Sequence, residues 1–386
     1  MDKHGTVSQL FNKKFHFTSF TYIPEKVFTS PKWSISTLQK NKIQLNNVKA
    51  QLGKYNLEEW SRHTKHNDPS SFIIRFLKRR VEPELVTQAW CKFYECLSQF
   101  EIIPNLYNMK RGDKYTTLHL CEAPGGFIAA LNHYITLNYD NFDWEWFATT
   151  LNPYYEGNKL SEMIPDDRLC RVTMNKWYFG VDGTGDITKY YNYVELLSNV
   201  QQKMWLVTAD GSVDCMSDPG NQEACVEYLH YCETVTALSA LHEGGSFILK
   251  IFTMFEDSTI CLLYLLNISF ENVSIFKPCT SKGGNSEVYV ICRGFKGYEL
   301  IGHIWEDLKK PFLNGYFDKE VSMFGQEEIP QQFLNEIENC SEFFMNLQIE
   351  TITNNVDNFR KRDSLYLSLI HHTKIRVANM FLKNIE

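Results

Sequence analysis

From Tyr115 onward the chain consists of short apolar runs set apart by helical stretches, and no other feature limits its possible folds so tightly. Strand-like runs fall at Thr117 to Leu120, Trp144 to Leu151, Met204 to Ala209, Ser246 to Phe252, Val273 to Lys277 and Val288 to Cys292. A helix fits from Gly126 to about Leu137, and amphipathic or apolar helices fit between most of the other runs. Alternation of this kind predicts an α/β fold: a doubly wound, mostly parallel sheet with helices on both faces. The last two strands, joined through Lys282-Gly283-Gly284, are expected to form an antiparallel hairpin at one edge, which mixed sheets allow.

Helices precede the first convincing strand. Pro83, a good first-turn residue, opens a pattern in which Val86, Trp90, Phe93, Leu97 and Phe100 recur at spacings of three and four. Helical pattern begins near Ser36, whereas residues 1 to about 30 lack periodicity and read as an arm or a loosely packed cover. After Gly294 the strand signal fades into helical pieces such as Gln331 to Phe344. Three regions follow: 1–110, basic and helical; 111–296, the sheet; and 297–386, a helical extension.

Composition narrows the class further. With 44% hydrophobic residues, 27 Phe, 20 Tyr and 8 Trp, the chain carries too many large apolar side chains to stay disordered. Its longest apolar stretch, Thr259 to Phe270, reaches 12 residues against the roughly 20 a bilayer span needs, so it reads as a buried helix. Eleven scattered Cys without any C-x-x-C disfavour a disulfide framework and structural zinc. They read as small core side chains in a reducing compartment, which is expected to place the chain inside the cell. The net charge of -7 conceals an asymmetry: residues 1–115 hold 19 Lys and Arg against 10 Asp and Glu, and the remainder is strongly acidic. The run Arg75-Phe-Leu-Lys78-Arg79-Arg80 reads equally as a solvated face or as a contact for a polyanion.

Open α/β sheets bind ligands beyond the carboxyl ends of their strands, where a glycine turn lets backbone N–H groups approach closely. Leu118-His-Leu-Cys-Glu122-Ala-Pro124-Gly125-Gly126-Phe127 ends the first strand and opens a helix in that manner. It lacks the G-x-G-x-x-G spacing and the P-loop lysine, which disfavours dinucleotide and nucleoside triphosphate sites. Acids stand at strand ends downstream, Asp186 in Gly-Asp-Ile-Thr and Asp210 in Thr-Ala-Asp-Gly-Ser. Lys250 lies inside the apolar strand Phe247-Ile-Leu-Lys-Ile-Phe252, and Glu287 stands at the mouth of another. A lysine inside a buried strand is either a paired structural ion or a tuned catalytic amine.

The glycine loop followed by Asp210, Lys250 and Glu287 resembles the FtsJ-type, Rossmann-like S-adenosylmethionine-dependent RNA 2'-O-methyltransferases. Their Lys-Asp-Lys-Glu tetrad is completed by Lys92, in Gln88-Ala-Trp-Cys-Lys92-Phe-Tyr-Glu95. Over roughly residues 45 to 300 the closer resemblance is to the cap-specific mRNA 2'-O-methyltransferase 2 (Adrift-type) family, in phrases such as Thr150-Leu-Asn152-Pro-Tyr154, Trp177-Tyr-Phe-Gly180 and Thr280-Ser-Lys-Gly-Gly-Asn-Ser-Glu287. The resemblance implies methyl transfer to the ribose of the second transcribed nucleotide of capped mRNA, with no metal, in nucleus and cytoplasm. Cap 1 or ribosomal RNA methylation, and an inactive RNA-binding module, are the competing readings.

By the same resemblance Lys250 is the base, Asp210 holds its amine, and Glu287 orients Lys92 or the ribose. Glu122, Pro124, Gly125, Gly126 and Phe127 would line the methionine end of the cofactor, with Asn152 at its ribose, Asp186 facing adenine, and Asp210 alongside. RNA would run over the basic N-terminal region through Arg75, Lys78, Arg79 and Arg80. His119 replaces an acid usual at its position, so Glu122 would take over that role. An unperturbed lysine, near pKa ~10.4, is too weakly deprotonated to act as a base. Burial and Lys92 would lower it and Asp210 would oppose them, a balance the sequence leaves open. The family also carries a second, inactive methyltransferase-like domain, which this chain ends too early to contain whole, so a truncated or short form is expected.

Overall fold

A computed structural model describes residues 5–103, 114–200, 202–213, 215, 220–361 and 363–385. The boundary expected at residue 110 lies outside the described residues. The chain begins with α1 (Gly5–Leu10), β1 (Lys14–His16) and β2 (Ser30–Pro31), then α2 (Ser36–Ala50), α3 (Leu57–Asn67), α4 (Ile73–Arg80) and α5 (Gln88–Gln99). The central part runs β3 (Tyr115–Leu120), α6 (Gly126–Asn138), β4 (Trp144–Thr149), α7 (Arg168–Val172), β5 (Trp177–Tyr178), α8 (Tyr190–Asn199) and β6 (Met204–Ala209). It continues through α9 (Gln222–Ala240), β7 (Leu241–Ile251), α10 (Asp257–Ser269), β8 (Phe270–Phe276) and β9 (Val288–Phe295). Last come α11 (Tyr298–Asn314), β10 (Val321–Ser322), α12 (Gln331–Asp357) and α13 (Ser364–Lys383).

The expected α/β sheet is present, with eight strands among the described residues in the order β1-β8-β9-β7-β6-β3-β4-β5. Strands β5, β4, β3, β6 and β7 are parallel, and β9 runs antiparallel to both β7 and β8. Adjacent residues on a strand face opposite sides. Leu206, Ile248 and Ile291 accordingly join the core beside α5, α6 and α13, while their neighbours Val207, Leu249 and Val290 join the core beside α8 to α12. The apolar stretch at Thr259 to Phe270 forms the buried helix α10 up to Ser269, and Phe270 opens β8. Among the described residues no helix is long and apolar enough to cross a membrane.

The β8–β9 pair is antiparallel at one side of the sheet, as expected, and the three-residue β1 adds outside it with Lys14 opposite Phe276 and His16 opposite Ser274. Other expectations need correction. Lys14–His16 are part of the sheet, and Val7, Phe11, Phe17 and Val27 are buried, so this stretch is not a loose cover. A three-residue strand is too short to show a period, and its place is set by the open hydrogen-bonding edge of β8. Helix α5 starts at Gln88, not Pro83, because Glu82 and Leu85 take positive φ (51° and 47°), and the Thr87 hydroxyl caps it by accepting from Trp90 N at 3.1 Å. Finally, the two terminal regions interlock: α2 packs on α12, α4 on α13, and β2 pairs with β10.

Candidate active site

The glycine loop follows β3. Gly125 caps α6 at φ +104°, a conformation that disfavours any residue with a Cβ, and a Cβ there would sit 2.3 Å from Leu169 Cδ2. Glu122 Oε1 accepts from the N–H groups of Phe127 (2.8 Å) and Ile128 (3.2 Å) at the helix start. Its other oxygen, Oε2, is buried with no partner, and burial pushes the carboxyl well above the usual range. The Phe127 ring lies in the core, stacked on Phe93 at 4.4 Å, so Phe127 can meet a ligand only through its backbone. Ala123 and Pro124 complete the turn between Glu122 and Gly125, whose N–H donates to the Glu122 carbonyl at 2.8 Å. His119 is buried inside the sheet between Thr117 (2.9 Å) and Thr208 (2.8 Å), where burial depresses its pKa to about 3. It is a neutral structural bridge and contributes no charge to the loop.

Beyond β4 and β5 two loops lock together. Asn152 Nδ2 donates to Gly183 O at 2.7 Å, and Asn152 N to Thr184 O at 2.8 Å. Gly185, at φ +74°, lies so close to this turn that a Cβ would be 1.8 Å from Thr150 O. Asp186 Oδ1 accepts from Thr188 N (2.9 Å) and Oγ1 (2.6 Å), which leaves its second oxygen free of any hydrogen bond within that turn. Asn152 and Asp186 thus stand in neighbouring loops past the carboxyl ends of adjacent strands, the position ligands take in such sheets.

The four residues expected to act together do meet. Strand register is the reason: Lys250 on β7 pairs with Tyr289 on β9, and the period of two puts Glu287 on the face of Tyr289. That face lies against α5, which brings Lys92 to Glu287 at 2.6 Å from Nζ to Oε1. Lys250 Nζ lies 3.2 Å from Asp210 Oδ1 and donates to the Asp210 backbone carbonyl at 2.7 Å. The Tyr289 hydroxyl stands between the two ion pairs, 3.2 Å from Asp210 Oδ1 and 3.5 Å from Glu287 Oε1. Burial works to lower the Lys250 pKa, but the carboxylates of Asp210 and Glu287 outweigh it and hold the ammonium above its ordinary value. Burial likewise raises Glu287, and Lys92 and Lys250 outweigh it, keeping that carboxyl below its usual range. The balance left open by the sequence falls on the side of the protonated amine.

Sequence reasoning missed four supporting groups. Tyr289 follows Glu287 by one strand period, a signal that could have found it. Glu95, one helical turn after Lys92, accepts from Cys279 N (2.7 Å) and Thr280 N (3.0 Å) and fixes the start of the segment leading to Glu287. Glu233 of α9 accepts from Gly211 N at 3.0 Å beneath the Asp210 turn, and burial raises its carboxyl to about 8. Lys277 donates to Asn285 O (2.9 Å), Asn285 Oδ1 (3.1 Å) and Glu287 O (2.8 Å), while burial, with Lys13 and Lys92 near, lowers it to about 7. A lysine ending an apolar strand carried the same signal as Lys250.

Arg75, Lys78, Arg79 and Arg80 are not drawn into this cluster. They project from α4, which packs on α13; Arg75 lies over Phe72 at 4.0 Å, and Arg80 lies over Phe76 at 4.9 Å and donates to Asn379 at 3.3 Å. All four remain exposed. Among the described residues no group of His, Cys, Asp and Glu is arranged to hold a metal ion.

Residues 85–295 match the model of the FtsJ-like methyltransferase family. The chain is 44% identical over 369 residues to the cap-specific mRNA (nucleoside-2'-O-)-methyltransferase 2 of Mus musculus, covering 93% of this chain and 47% of that protein. Against the protein of the same name in Drosophila melanogaster the identity is 39% over 389 residues, covering 97% and 55%. A probable methyltransferase of African swine fever virus is 30% identical over 279 residues, covering 68% and 63%. The chain thus spans about half the length of its cap-specific relatives.

Proposed function

Since the chain belongs to the FtsJ-like methyltransferase family, we propose that it transfers a methyl group from S-adenosylmethionine to the ribose 2'-hydroxyl of the second transcribed nucleotide of capped mRNA. The observation that carries the reading is the pair of lysine–carboxylate contacts, Lys92–Glu287 and Lys250–Asp210, joined through Tyr289. The choice of nucleotide rests on the names of the relatives at 39% and 44% identity. Capped transcripts occur in nucleus and cytoplasm, and we assign the activity to both.

The loop residues suit the cofactor. Glu122 Oε2 is a buried acceptor without a donor, suited to an ammonium, and Gly125 leaves the backbone open to close approach. Glu122, Pro124, Gly125, Gly126 and the Phe127 backbone would hold the methionine end, and Asn152, Asp186 and Asp210 the nucleoside. When bound, S-adenosylmethionine would supply a methyl group on a positively charged sulfur.

A ribose hydroxyl is a poor nucleophile until a base takes its proton. Lys250 Nζ is that base, and Asp210 holds it through its carbonyl and carboxylate. Because the carboxylates keep Lys250 protonated in the free protein, only a small fraction is competent near neutral pH, and the rate climbs as the amine loses its proton. Lys92, held by Glu287, places a positive charge beside the oxygen that becomes negative, and Glu287 fixes Lys92 in turn. RNA would approach over the N-terminal region through Arg75, Lys78, Arg79 and Arg80.

The test is incubation with S-adenosylmethionine and capped RNAs that carry or lack a methyl on the first transcribed nucleotide, followed by mass-spectrometric mapping. A new 2'-O-methyl on the second transcribed nucleotide is expected. Methylation of the first nucleotide, or none, overturns the proposal.

A further inference from the structure

We propose that Gln348 of α12 is a positioning residue that sets the register of the segment carrying Glu287, which makes the C-terminal helix a working part of the site. The inference rests on the role given to Glu287 above. Residues 277–287 cross from β8 to β9, and the 2.6 Å Lys92 contact depends on where the far end of this crossing stops. Its start is pinned by Glu95, and its end by the Lys277 ammonium. Lys277 also holds Asn285, but neither group bonds to Gly283 or Gly284.

Gln348 does. Its Nε2 donates to Gly284 O at 3.0 Å, and its Oε1 accepts from the Ser286 hydroxyl at 3.0 Å, one residue before Glu287. An amide supplies donor and acceptor together, so one side chain fixes two points of the turn. Gln348 is only 3% exposed, and Lys49 of α2 donates to the same Ser286 oxygen at 3.1 Å. The glycines serve the same seating: a Cβ on Gly283 would lie 2.8 Å from Thr351 Oγ1, one turn further along α12, so the apex rests directly on the helix. Behind Ser286, Leu45, Met254, Phe344 and Met345 line a narrow cleft. The turn thus rests on α12 at its glycine apex, and the Gln348 hydrogen bonds to Gly284 and Ser286 act beside those of Lys277 to Asn285 to fix its register.

The experiment compares Gln348→Leu, Ser286→Ala, Glu287→Gln and the double variant Gln348→Leu/Glu287→Gln in single-turnover methyl transfer to capped RNA. Rates are taken per folded molecule, counted by S-adenosylmethionine binding. Gln348→Leu should slow transfer about ten- to a hundredfold with cofactor affinity unchanged, as expected when both partners of a buried amide lose it. Ser286→Ala should lose part of that, and it tests the same contact should Gln348→Leu fail to fold. Because Gln348 acts through Glu287, the double variant should be no slower than Glu287→Gln alone. A folded Gln348→Leu with the native per-molecule rate, or losses that multiply in the double variant, overturns the proposal. If Glu287→Gln itself turns over normally, it is the reading of the tetrad that falls, and this inference with it.

Discussion

Replacing Asp210 by Asn removes one charge and keeps the shape of the side chain. The carboxylate lies 3.2 Å from Lys250 Nζ and, with Glu287, holds that ammonium above its ordinary pKa. A hydrogen bond to a charged partner is worth about 1.5–3 kcal/mol, and each pKa unit corresponds to about 1.4 kcal/mol. The Lys250 pKa should therefore fall by about one to two units, not more, because the Asp210 backbone carbonyl still accepts from Nζ at 2.7 Å. The sign follows from the role of a base. Activity is present above the working pKa and lost below it, so lowering the pKa moves the acid limb of the rate profile to lower pH. The assay is single-turnover transfer from labelled S-adenosylmethionine to capped RNA across pH, reading the midpoint and not the plateau, since lost positioning lowers the plateau as well. Lys250→Arg is the control: a guanidinium keeps its proton at working pH and should transfer nothing on any limb. An unmoved midpoint in Asp210→Asn, or transfer by Lys250→Arg near the native rate, would refute the assignment of Lys250 as the base.

Other changes test the surrounding parts. Gly125→Trp should abolish S-adenosylmethionine binding in calorimetry, because the position is left-handed and even a Cβ would strike Leu169; unchanged affinity removes the loop from the site. Changing Arg75, Lys78, Arg79 and Arg80 together to Ser should weaken RNA binding and flatten its dependence on log salt by up to about 3, at roughly 0.7 per lost phosphate contact. Cofactor affinity should not move, and an unaltered slope returns α4 to the solvated-face reading. Glu233→Gln should gain stability over the parent as pH rises. The native carboxyl holds its proton up to about 8, whereas an unfolded glutamate releases it near 4.5, so the parent loses stability between those values. The relative gain by pH 8, read from denaturant melts, should be on the order of 4 kcal/mol, and a pH-independent difference would show that Glu233 is ionised in the folded state.

Local patterns in the sequence specify which segments exclude water and which turns need glycine, and that was enough for the parallel sheet, the buried helix α10, the strand Met204–Ala209 and the loop at Gly125. Lys250 was also legible, because an ionic side chain inside an apolar strand is costly unless it has partners. Which partners it has depends on pairing across long chain separations. The meeting of Lys92, Asp210, Lys250 and Glu287 comes from the register of β7 on β9 and the packing of α5 on their face. For the same reason β1, three residues long, showed no period and found its place only against the open edge of β8. Glu95 and Gln348 carry no motif of their own and matter through what they touch, while Tyr289 and Lys277 carried a strand signal whose meaning only their contacts supply. The protonation of Lys250 belongs to the tertiary structure entirely, since charge interactions depend on distance and burial, and composition specifies neither.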